Sequence, residues 1–212
     1  MRVAAIIFDM DGVLVDSEPL GLESMRRLME AHGVAYTEAD NREFLGRTTL
    51  EECRILRARH GLRAAGEEMT RQYVEILVEL IRERQRPMPG VPDVLAELRA
   101  AGYPLALASS AEPAVIAENI RRLDISYLFD AVVSGAEVPR GKPAPDVFIE
   151  TARRLGRSAA GCLVVEDSRN GLLAAKAAGM SCAVIPCAST LHQDFTEADH
   201  RLRSLTELLT LL

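Results

Sequence analysis

Acidic and hydroxyl side chains follow several apolar runs of this sequence, at the point where each run ends. Asp9 and Asp11 come directly after the apolar run 3–8, and later runs end at the pairs Ser109 with Ser110 and Glu166 with Asp167. If each run is a strand of one parallel sheet, the carboxyl ends of the strands meet at one edge and bring four carboxylates together. So much negative charge requires a bound cation, and hard oxygen ligands of this kind suit Mg²⁺. The sequence therefore predicts a Mg²⁺ site at this edge.

A lysine can add positive charge to the same place. Lys142 lies in the segment GKPAPD, in a loop before a helix that begins with proline. Together with Mg²⁺, its ammonium group would neutralise the oxygens of a phosphate, so that the anionic carboxylate of Asp9 could approach phosphorus. Taken singly, these residues have simpler interpretations, as turn-forming aspartates, helix-capping serines and a solvated lysine. Their occurrence as a set favours phosphoryl transfer with Asp9 as the nucleophile.

The elements that must position these residues follow an alternating pattern. Apolar runs predict strands at 3–8, 104–108, 131–133, 162–165 and 182–185. Helical periodicity, proline starts and glycine stops predict helices at 92–101, 113–123, 145–155 and 170–178. Strands that alternate with helices indicate an α/β fold, with a Rossmann-like parallel sheet as its core.

The strand pattern is absent between the first strand and residue 88. Leu22, Met25 and Met29 share one helix face, and a second face runs from Met69 to Leu80. Thr48 with Glu51, or Thr49 with Glu52, fits the spacing of a capping box at the start of a further helix. We therefore predict an inserted all-helical cap domain at 16–88 and an α/β core domain formed by 1–15 and 89–212.

Composition limits the classes of partner. The formal net charge of −6 argues against general affinity for nucleic acid or anionic membrane surfaces. No apolar run approaches the roughly 20 residues that a membrane span needs, and the start MRVAAIIFDMDG does not resemble a signal peptide. We therefore expect a cytoplasmic protein. The cysteines lack metal-binding or redox spacing, and we expect reduced, structural thiols at Cys53, Cys162, Cys182 and Cys187. A core with its own cap needs no further subunit, so we expect a monomer that binds a small phosphorylated metabolite.

Four segments carry a resemblance to a known family. DMDGVLVDSE, ALASS, GKPAPD and VVEDSRNGLLAAKAAGM resemble, in order, the four motifs of the haloacid dehalogenase superfamily. The chain is most similar to the branch of beta-phosphoglucomutases and phosphoglycolate-phosphatase-like enzymes, which carries a helical cap where the predicted insertion falls. The resemblance covers the whole chain. It implies the same α/β core with an inserted cap, and catalysis that depends on Mg²⁺.

The resemblance also implies a role for each matching residue. Asp9 would attack phosphorus to give an aspartyl-phosphate, while Asp11 would protonate the leaving oxygen and then activate the incoming water or hydroxyl. Ser109 and Lys142 would bind the phosphoryl group, with help from the backbone at Ser110. The implied ligands of Mg²⁺ are Asp9, the main-chain carbonyl of Asp11, Glu166 and Asp167. Dehalogenases and phosphonoacetaldehyde hydrolases of the superfamily lack the second acid, so Asp11 points to phosphate esters.

The cap offers a further candidate site. Gly46, Arg47 and Thr48 lie where this branch has a loop that reaches over the substrate, and Arg47 could bind a second anionic group. A loop in which Thr48 simply caps the next helix and Arg47 is solvated explains the same residues equally well.

Three functions remain open, and the sequence favours the first. Phosphoglucomutases of this branch have a histidine where this chain has Gly21, and a cap lysine where it has Leu45. They also have a Lys-Asn pair where this chain has Glu112 and Pro113. These departures favour a phosphatase that hydrolyses a sugar phosphate or similar monoester over a phosphosugar mutase. The third possibility is a non-catalytic module regulated by phosphorylation of an aspartate, which would have no use for the acid and base chemistry of Asp11.

Overall fold

The strands of this chain form one parallel sheet. The computed structural model describes residues 3–44 and 48–212. Within them lie six strands: β1 (Ala5–Phe8), β2 (Leu105–Ser109), β3 (Ala131–Ser134), β4 (Cys162–Glu166), β5 (Ser181–Val184) and β6 (His200–Arg201). Their order across the sheet is β3-β2-β1-β4-β5-β6, so β1 has a neighbour on each side. All pairings are parallel.

Helices connect these strands and bury the sheet. The helices from residue 91 onward are α5 (Val91–Ala100), α6 (Pro113–Arg122), α7 (Asp146–Arg154), α8 (Arg169–Ala177) and the short α9 (Leu208–Leu211). Phe148 of α7 and Leu172 of α8 pack in one apolar cluster with Ile7 and Val164 of the central strands. The side chains that alternate with these along the strands are also buried, as expected for a parallel sheet covered on both faces.

The register of the sheet aligns the strand ends. Phe8, the last residue of β1, is paired with Leu107 on one side and Val165 on the other. The next residues, Asp9 and Glu166, therefore emerge from neighbouring strands at the same edge, beside the end of β2. A slip of one residue would turn each side chain to the opposite face, so the apolar pattern of the strands also determines where these carboxylates point.

The chain divides into two compact units. One contains the residues up to Asp16 and from Arg86 onward, and the other is Ser17–Gln85. The second unit consists of the helices α1 (Glu18–Ala31), α2 (Glu38–Phe44), α3 (Thr49–His60) and α4 (Gly66–Arg84). Met25, Met29, Leu56 and Met69 are among the buried side chains of its own apolar cluster, so this unit has a core of its own.

The predicted fold class is confirmed, with differences in detail. The helix after Thr48 begins with a capping box of Thr48 and Glu51, so the structure selects one of the two predicted boxes. Two elements were not predicted from the sequence. Helix α2 has a single buried residue, Phe44, and so no periodic apolar pattern, and both residues of β6 are exposed. Within the described ranges, no helix combines the length and the apolar character needed to cross a membrane.

Candidate active site

A tight turn presents the two aspartates that follow β1. The amide of Asp9 extends the sheet by donating to the carbonyl of Val165 at 2.9 Å. The amides of Leu14 and Val15 then both donate to the carbonyl of Met10, which closes the turn. Gly12 has a φ of +74°, a conformation that L side chains rarely adopt. Asp9 is thus buried at the edge of the sheet, while Asp11 is half-buried next to it.

Lys142 lies among the strand ends, as the sequence predicted. Its Nζ donates to Oδ1 of Asp9 at 2.5 Å, to Oε1 of Glu166 at 2.7 Å and to the carbonyl of Ala108 at 3.2 Å. It also lies 4.8 Å from the centre of the Phe148 ring. Only 7% of the Lys142 side chain is exposed, so these ion pairs are desolvated and much stronger than pairs on the surface.

Four hydrogen bonds hold the carboxylate of Glu166. Its Oε1 accepts from Lys142, and its Oε2 accepts from the amides of Asp167 and Ser168 and from the Ser168 hydroxyl, each at 2.9 Å. A Cβ atom on Gly171 would lie 1.6 Å from Oε1, so only glycine at the start of α8 leaves room for this carboxylate. Glu166 is therefore rigidly placed, with both oxygens engaged.

Asp167 completes a buried group of carboxylates that could hold a cation. Ligand oxygens of Asp9, Glu166 and Asp167 all lie within 4.8 Å of one another. All three side chains are buried. Lys142 is paired with Asp9 and Glu166, so the described contacts leave this cluster with more negative than positive charge. Hard oxygen donors at this spacing fit a divalent cation such as Mg²⁺.

The pKa values of the cluster reflect the same excess of negative charge. Burial raises the pKa of Asp9 to about 8, against the opposing effect of Lys142 and with added repulsion from Glu166 and Asp11. Burial also raises the pKa of Asp167 to about 10, with repulsion from Glu166 and Asp9. Burial by itself lowers the pKa of Lys142, but the carboxylates of Asp9 and Glu166 outweigh it and raise that pKa above its ordinary value. A bound divalent cation would favour ionisation of the aspartates.

Ser109 links the end of β2 to the second aspartate. Its hydroxyl donates to Oδ2 of Asp11 at 3.4 Å and accepts from the amide of Ala111 at 3.1 Å. Ser109 is fully buried, whereas Ser110 is exposed in the loop that follows. The structure therefore brings Asp9, Asp11, Ser109 and Lys142 to one edge, and leaves Ser110 at its margin.

Of the three predicted cap residues, the structure describes Thr48. Thr48 is exposed, and its hydroxyl accepts from the amide of Glu51 as part of the capping box of α3. Thr48 therefore caps α3, as in the second of the two interpretations of this loop. Gly46 and Arg47 lie outside the described residues.

Two side chains that contact the carboxylate cluster were not predicted from the sequence. Cys187 had been expected to be a purely structural thiol, yet it is half-buried and its Sγ donates to Oδ2 of Asp167 at 3.1 Å. Thr190 is buried and donates to the same oxygen at 3.4 Å. The one signal for them was that β5, too, is an apolar run followed by polar residues. All four cysteines are free in the structure, and Cys53, Cys162 and Cys182 are buried.

Comparison with known proteins identifies relatives over most of the chain. A family model described as haloacid dehalogenase-like hydrolase matches residues 6–185. The chain is 36% identical to a phosphorylated carbohydrates phosphatase of Thermotoga maritima, over 83% of this chain and 82% of the relative. It is 31% identical to hexitol phosphatase B of Escherichia coli, over 98% of this chain and 95% of the relative.

A solved structure agrees with these relatives in fold. CbbY from Rhodobacter sphaeroides, crystallised in complex with phosphate, matches with a TM-score of 0.89 and 31% sequence identity. The match covers 98% of this chain and 96% of that chain. The similarity thus extends over both units, including the strand ends that carry the carboxylates.

Proposed function

Because this chain belongs to the haloacid dehalogenase-like hydrolases, we propose that it is a Mg²⁺-dependent phosphatase that hydrolyses a small phosphate monoester through an aspartyl-phosphate on Asp9. The resemblance stated from the four motifs is confirmed by the family match. A phosphatase is also what the two curated relatives are named, and both of those names refer to carbohydrate-type substrates. A phosphorylated sugar or sugar alcohol is accordingly the class of substrate that we propose.

The buried ion pair of Asp9 and Lys142 is the observation that carries this proposal. Lys142 binds Oδ1 of Asp9, and Oδ2 carries no hydrogen bond among the described residues. A buried carboxylate held at one oxygen and open at the other is suited to attack an electrophile. The ammonium of Lys142 would also attract the oxygens of a phosphoryl group, although the chain as a whole is acidic.

In the first proposed step, a carboxylate oxygen of Asp9 forms a bond to phosphorus as the ester P–O bond breaks. The leaving oxygen takes a proton from the carboxyl group of Asp11, so the alcohol departs neutral. The Ser109 hydroxyl, which contacts Asp11, would hold this carboxyl group at the edge of the sheet. Lys142 stays paired with Asp9 and stabilises the charge on the phosphoryl oxygens.

In the second proposed step, water attacks phosphorus and the bond between phosphorus and Asp9 breaks. Asp11, now ionised, accepts the proton of the water. This releases inorganic phosphate and restores the carboxylate of Asp9. Because one side chain serves as acid and then as base, Asp11 is needed in both half-reactions.

The described residues fit the Mg²⁺ ion that this chemistry calls for. Asp9, Glu166, Asp167 and the main-chain carbonyl of Asp11 would hold it, and both oxygens of Glu166 already have hydrogen-bond partners. Asp9 and Asp167 are therefore the better candidates for direct contact. When bound, Mg²⁺ would supply charge that offsets the repulsion between the phosphate and the carboxylates.

We also infer that the helical unit Ser17–Gln85 serves as the cap of this enzyme and excludes water during attack by Asp9. Hydrolysis is favoured over mutase activity because Gly21, Glu112 and Pro113 replace residues found in the mutases.

The test of this proposal is phosphate release from a panel of phosphorylated sugars, sugar alcohols and other small metabolites. Each ester is incubated with the protein in Mg²⁺ or in EDTA. We expect release from at least one carbohydrate phosphate in Mg²⁺ and almost none in EDTA. Adding an acceptor sugar should not divert the phosphoryl group. Transfer to the sugar instead of to water would establish a mutase, and no release from any ester would contradict the proposed activity.

The thermal stability of this protein should depend on pH and on Mg²⁺, through the ionisation of Asp9 and Asp167. The folded-state pKa values of Asp9 and Asp167 lie above the ordinary value of 3.8. Their contribution to the free energy of unfolding is therefore fully present below about pH 4, and it is lost as the pH rises through about 8 for Asp9 and about 10 for Asp167. In EDTA, Asp167→Asn should melt at a higher temperature than the wild type, by more at pH 8 than at pH 5. The measurement is thermal unfolding at both pH values.

At pH 8, Mg²⁺ should make the melting temperature of the wild type higher than that of Asp167→Asn. At about 100 times its Kd, a ligand stabilises by about 2.7 kcal/mol, or about 5–10 °C for a chain of this size. The wild type should gain this amount, while Asp167→Asn gains little. An equal gain in both proteins would mean that Asp167 does not bind the ion.

A further inference from the structure

A short turn after β5 contacts the carboxylate of Asp167 from a distant part of the sequence. The Sγ of Cys187 donates to Oδ2 of Asp167 at 3.1 Å, and the Thr190 hydroxyl donates to the same atom at 3.4 Å. Both donors address one oxygen. Oδ1 of Asp167 carries no hydrogen bond to the residues that the structure describes. The turn thus distinguishes between the two oxygens of this carboxylate.

The turn is ordered by its own hydrogen bonds. The amide of Cys187 donates to the Thr190 hydroxyl at 3.0 Å. The amides of Thr190 and Leu191 both donate to the carbonyl of Cys187 at 3.0 Å. At its start, the amide of Ile185 donates to the carbonyl of Glu166 at 2.7 Å, which ties the turn to the end of β4. The donors to Asp167 are therefore preorganised.

The direction of the hydrogen bonds favours donation toward Asp167. The Ser189 hydroxyl lies 3.1 Å from Sγ of Cys187 and can donate to it, which leaves the thiol hydrogen for the carboxylate. The Thr190 hydroxyl already accepts from an amide, so its single hydrogen is available to Asp167, to the carbonyl of Cys187 or to the Sγ of Cys187. An ionised Asp167 would be the strongest of these acceptors.

The same oxygen also packs against the backbone of the turn that follows β1. A Cβ atom on Gly12 would lie 2.3 Å from Oδ2 of Asp167, so the carboxylate packs directly against Gly12. Oδ2 therefore lies close to Gly12 as well as to Cys187 and Thr190. Rotation of the carboxylate would break its hydrogen bonds with Cys187 and Thr190, so these contacts oppose such a rotation.

We propose that Cys187 and Thr190 are positioning residues that hold Asp167 in the orientation in which it binds the divalent cation. This role rests on the proposed function, because it assumes that Asp167 is a ligand of Mg²⁺. Partners that orient a metal ligand typically change metal affinity by about 10–100-fold when they are removed. The effect falls on binding of the ion, and not on the chemistry of Asp9 once the ion is bound.

The experiment is calorimetric titration of Mg²⁺ into the wild type, Thr190→Val and Thr190→Ser. Valine keeps the shape of threonine without the hydroxyl, and we expect Thr190→Val to bind Mg²⁺ about tenfold more weakly. Thr190→Ser restores the hydroxyl and should recover most of the affinity. The kcat at saturating Mg²⁺ should stay close to that of the wild type in both variants.

Thr151→Val is the matched control, because its buried hydroxyl donates within α7 to the carbonyl of Val147 and does not contact Asp167. Should Thr190→Val fail to fold, Cys187→Val removes the other donor to the same oxygen, and Cys187→Ser keeps a donor there.

The outcomes separate this role from the proposed function. A wild type that binds Mg²⁺ while Thr190→Val and Cys187→Val bind it equally well would overturn the positioning role alone. A wild type that binds no Mg²⁺ would overturn both the metal-dependent function and this role. Weaker binding in Thr190→Val that Thr190→Ser does not recover, with the same loss in Thr151→Val, would indicate general destabilisation and would also overturn it.

Discussion

Replacing Asp9 by asparagine is expected to abolish hydrolysis of every phosphate ester that the wild type accepts. An amide oxygen is a far weaker nucleophile than a carboxylate. Glu166, which is also paired with Lys142, has hydrogen bonds on both of its oxygens and so does not replace Asp9. In a hydrolase with a covalent intermediate, loss of the nucleophile lowers kcat by about 10⁶-fold, and we expect a loss of similar size here. The measurement is steady-state phosphate release at saturating Mg²⁺, with the best substrate of the panel.

Stability distinguishes loss of chemistry from loss of folding in this variant. Asp9→Asn removes one negative charge from a cluster that has too many, so its melting temperature in EDTA should equal or exceed that of the wild type. Asp124→Asn, the same change at an exposed aspartate with a φ of 53°, is a suitable control, because asparagine tolerates this conformation. If Asp9→Asn kept substantial turnover, the covalent mechanism would be wrong.

Asp11→Asn is expected to trap the phosphorylated enzyme. With p-nitrophenyl phosphate, whose leaving group departs without a proton, the first step should still proceed and release one equivalent of p-nitrophenol per enzyme. The second step lacks its base, so later turnover should be about 10²–10⁴-fold slower than in the wild type. With an alkyl phosphate such as a sugar phosphate, both steps should be slow. Rapid-quench kinetics measures the burst, and mass spectrometry should find a phosphoryl group on the peptide that contains Asp9.

The same variant discriminates among the candidate functions. A regulatory module would hold its phosphoryl group equally long with or without Asp11, because it would have no use for a general base. A phosphatase loses the group quickly in the wild type and slowly in Asp11→Asn. Steady turnover by Asp11→Asn at the wild-type rate, without a burst, would remove Asp11 from the mechanism.

The fold was largely predictable because its core elements have simple apolar patterns. β1 and β4 are buried on both faces, so each reads as an uninterrupted apolar run that stops at the first carboxylate. The helix α3 was predicted from a capping box, which the structure contains at Thr48 and Glu51. By contrast, α2 buries only Phe44 and β6 buries neither residue, so neither has an apolar pattern that a sequence could reveal.

The candidate site was predictable in its members but not in its contacts. Asp9, Ser109 and Glu166 end apolar strands, so the rule that parallel strands end at one edge was enough to group them. The four hydrogen bonds on Glu166 depend on the start of α8 and on the space left by Gly171. Such contacts involve residues whose types have many other uses, and spacing does not distinguish among them.

By itself, then, the sequence determined the α/β class, the set of carboxylates with Lys142, and the family. Each of these depends on local periodicity or on ordered motifs, which can be recognised in the sequence without knowledge of the fold. Only the tertiary structure decided that Lys142 joins Asp9 to Glu166, and that Cys187 and Thr190 support Asp167 across 20 and 23 residues of chain. These contacts arise from the pairing of β4 with β5 and from the turn that follows, which no spacing rule encodes.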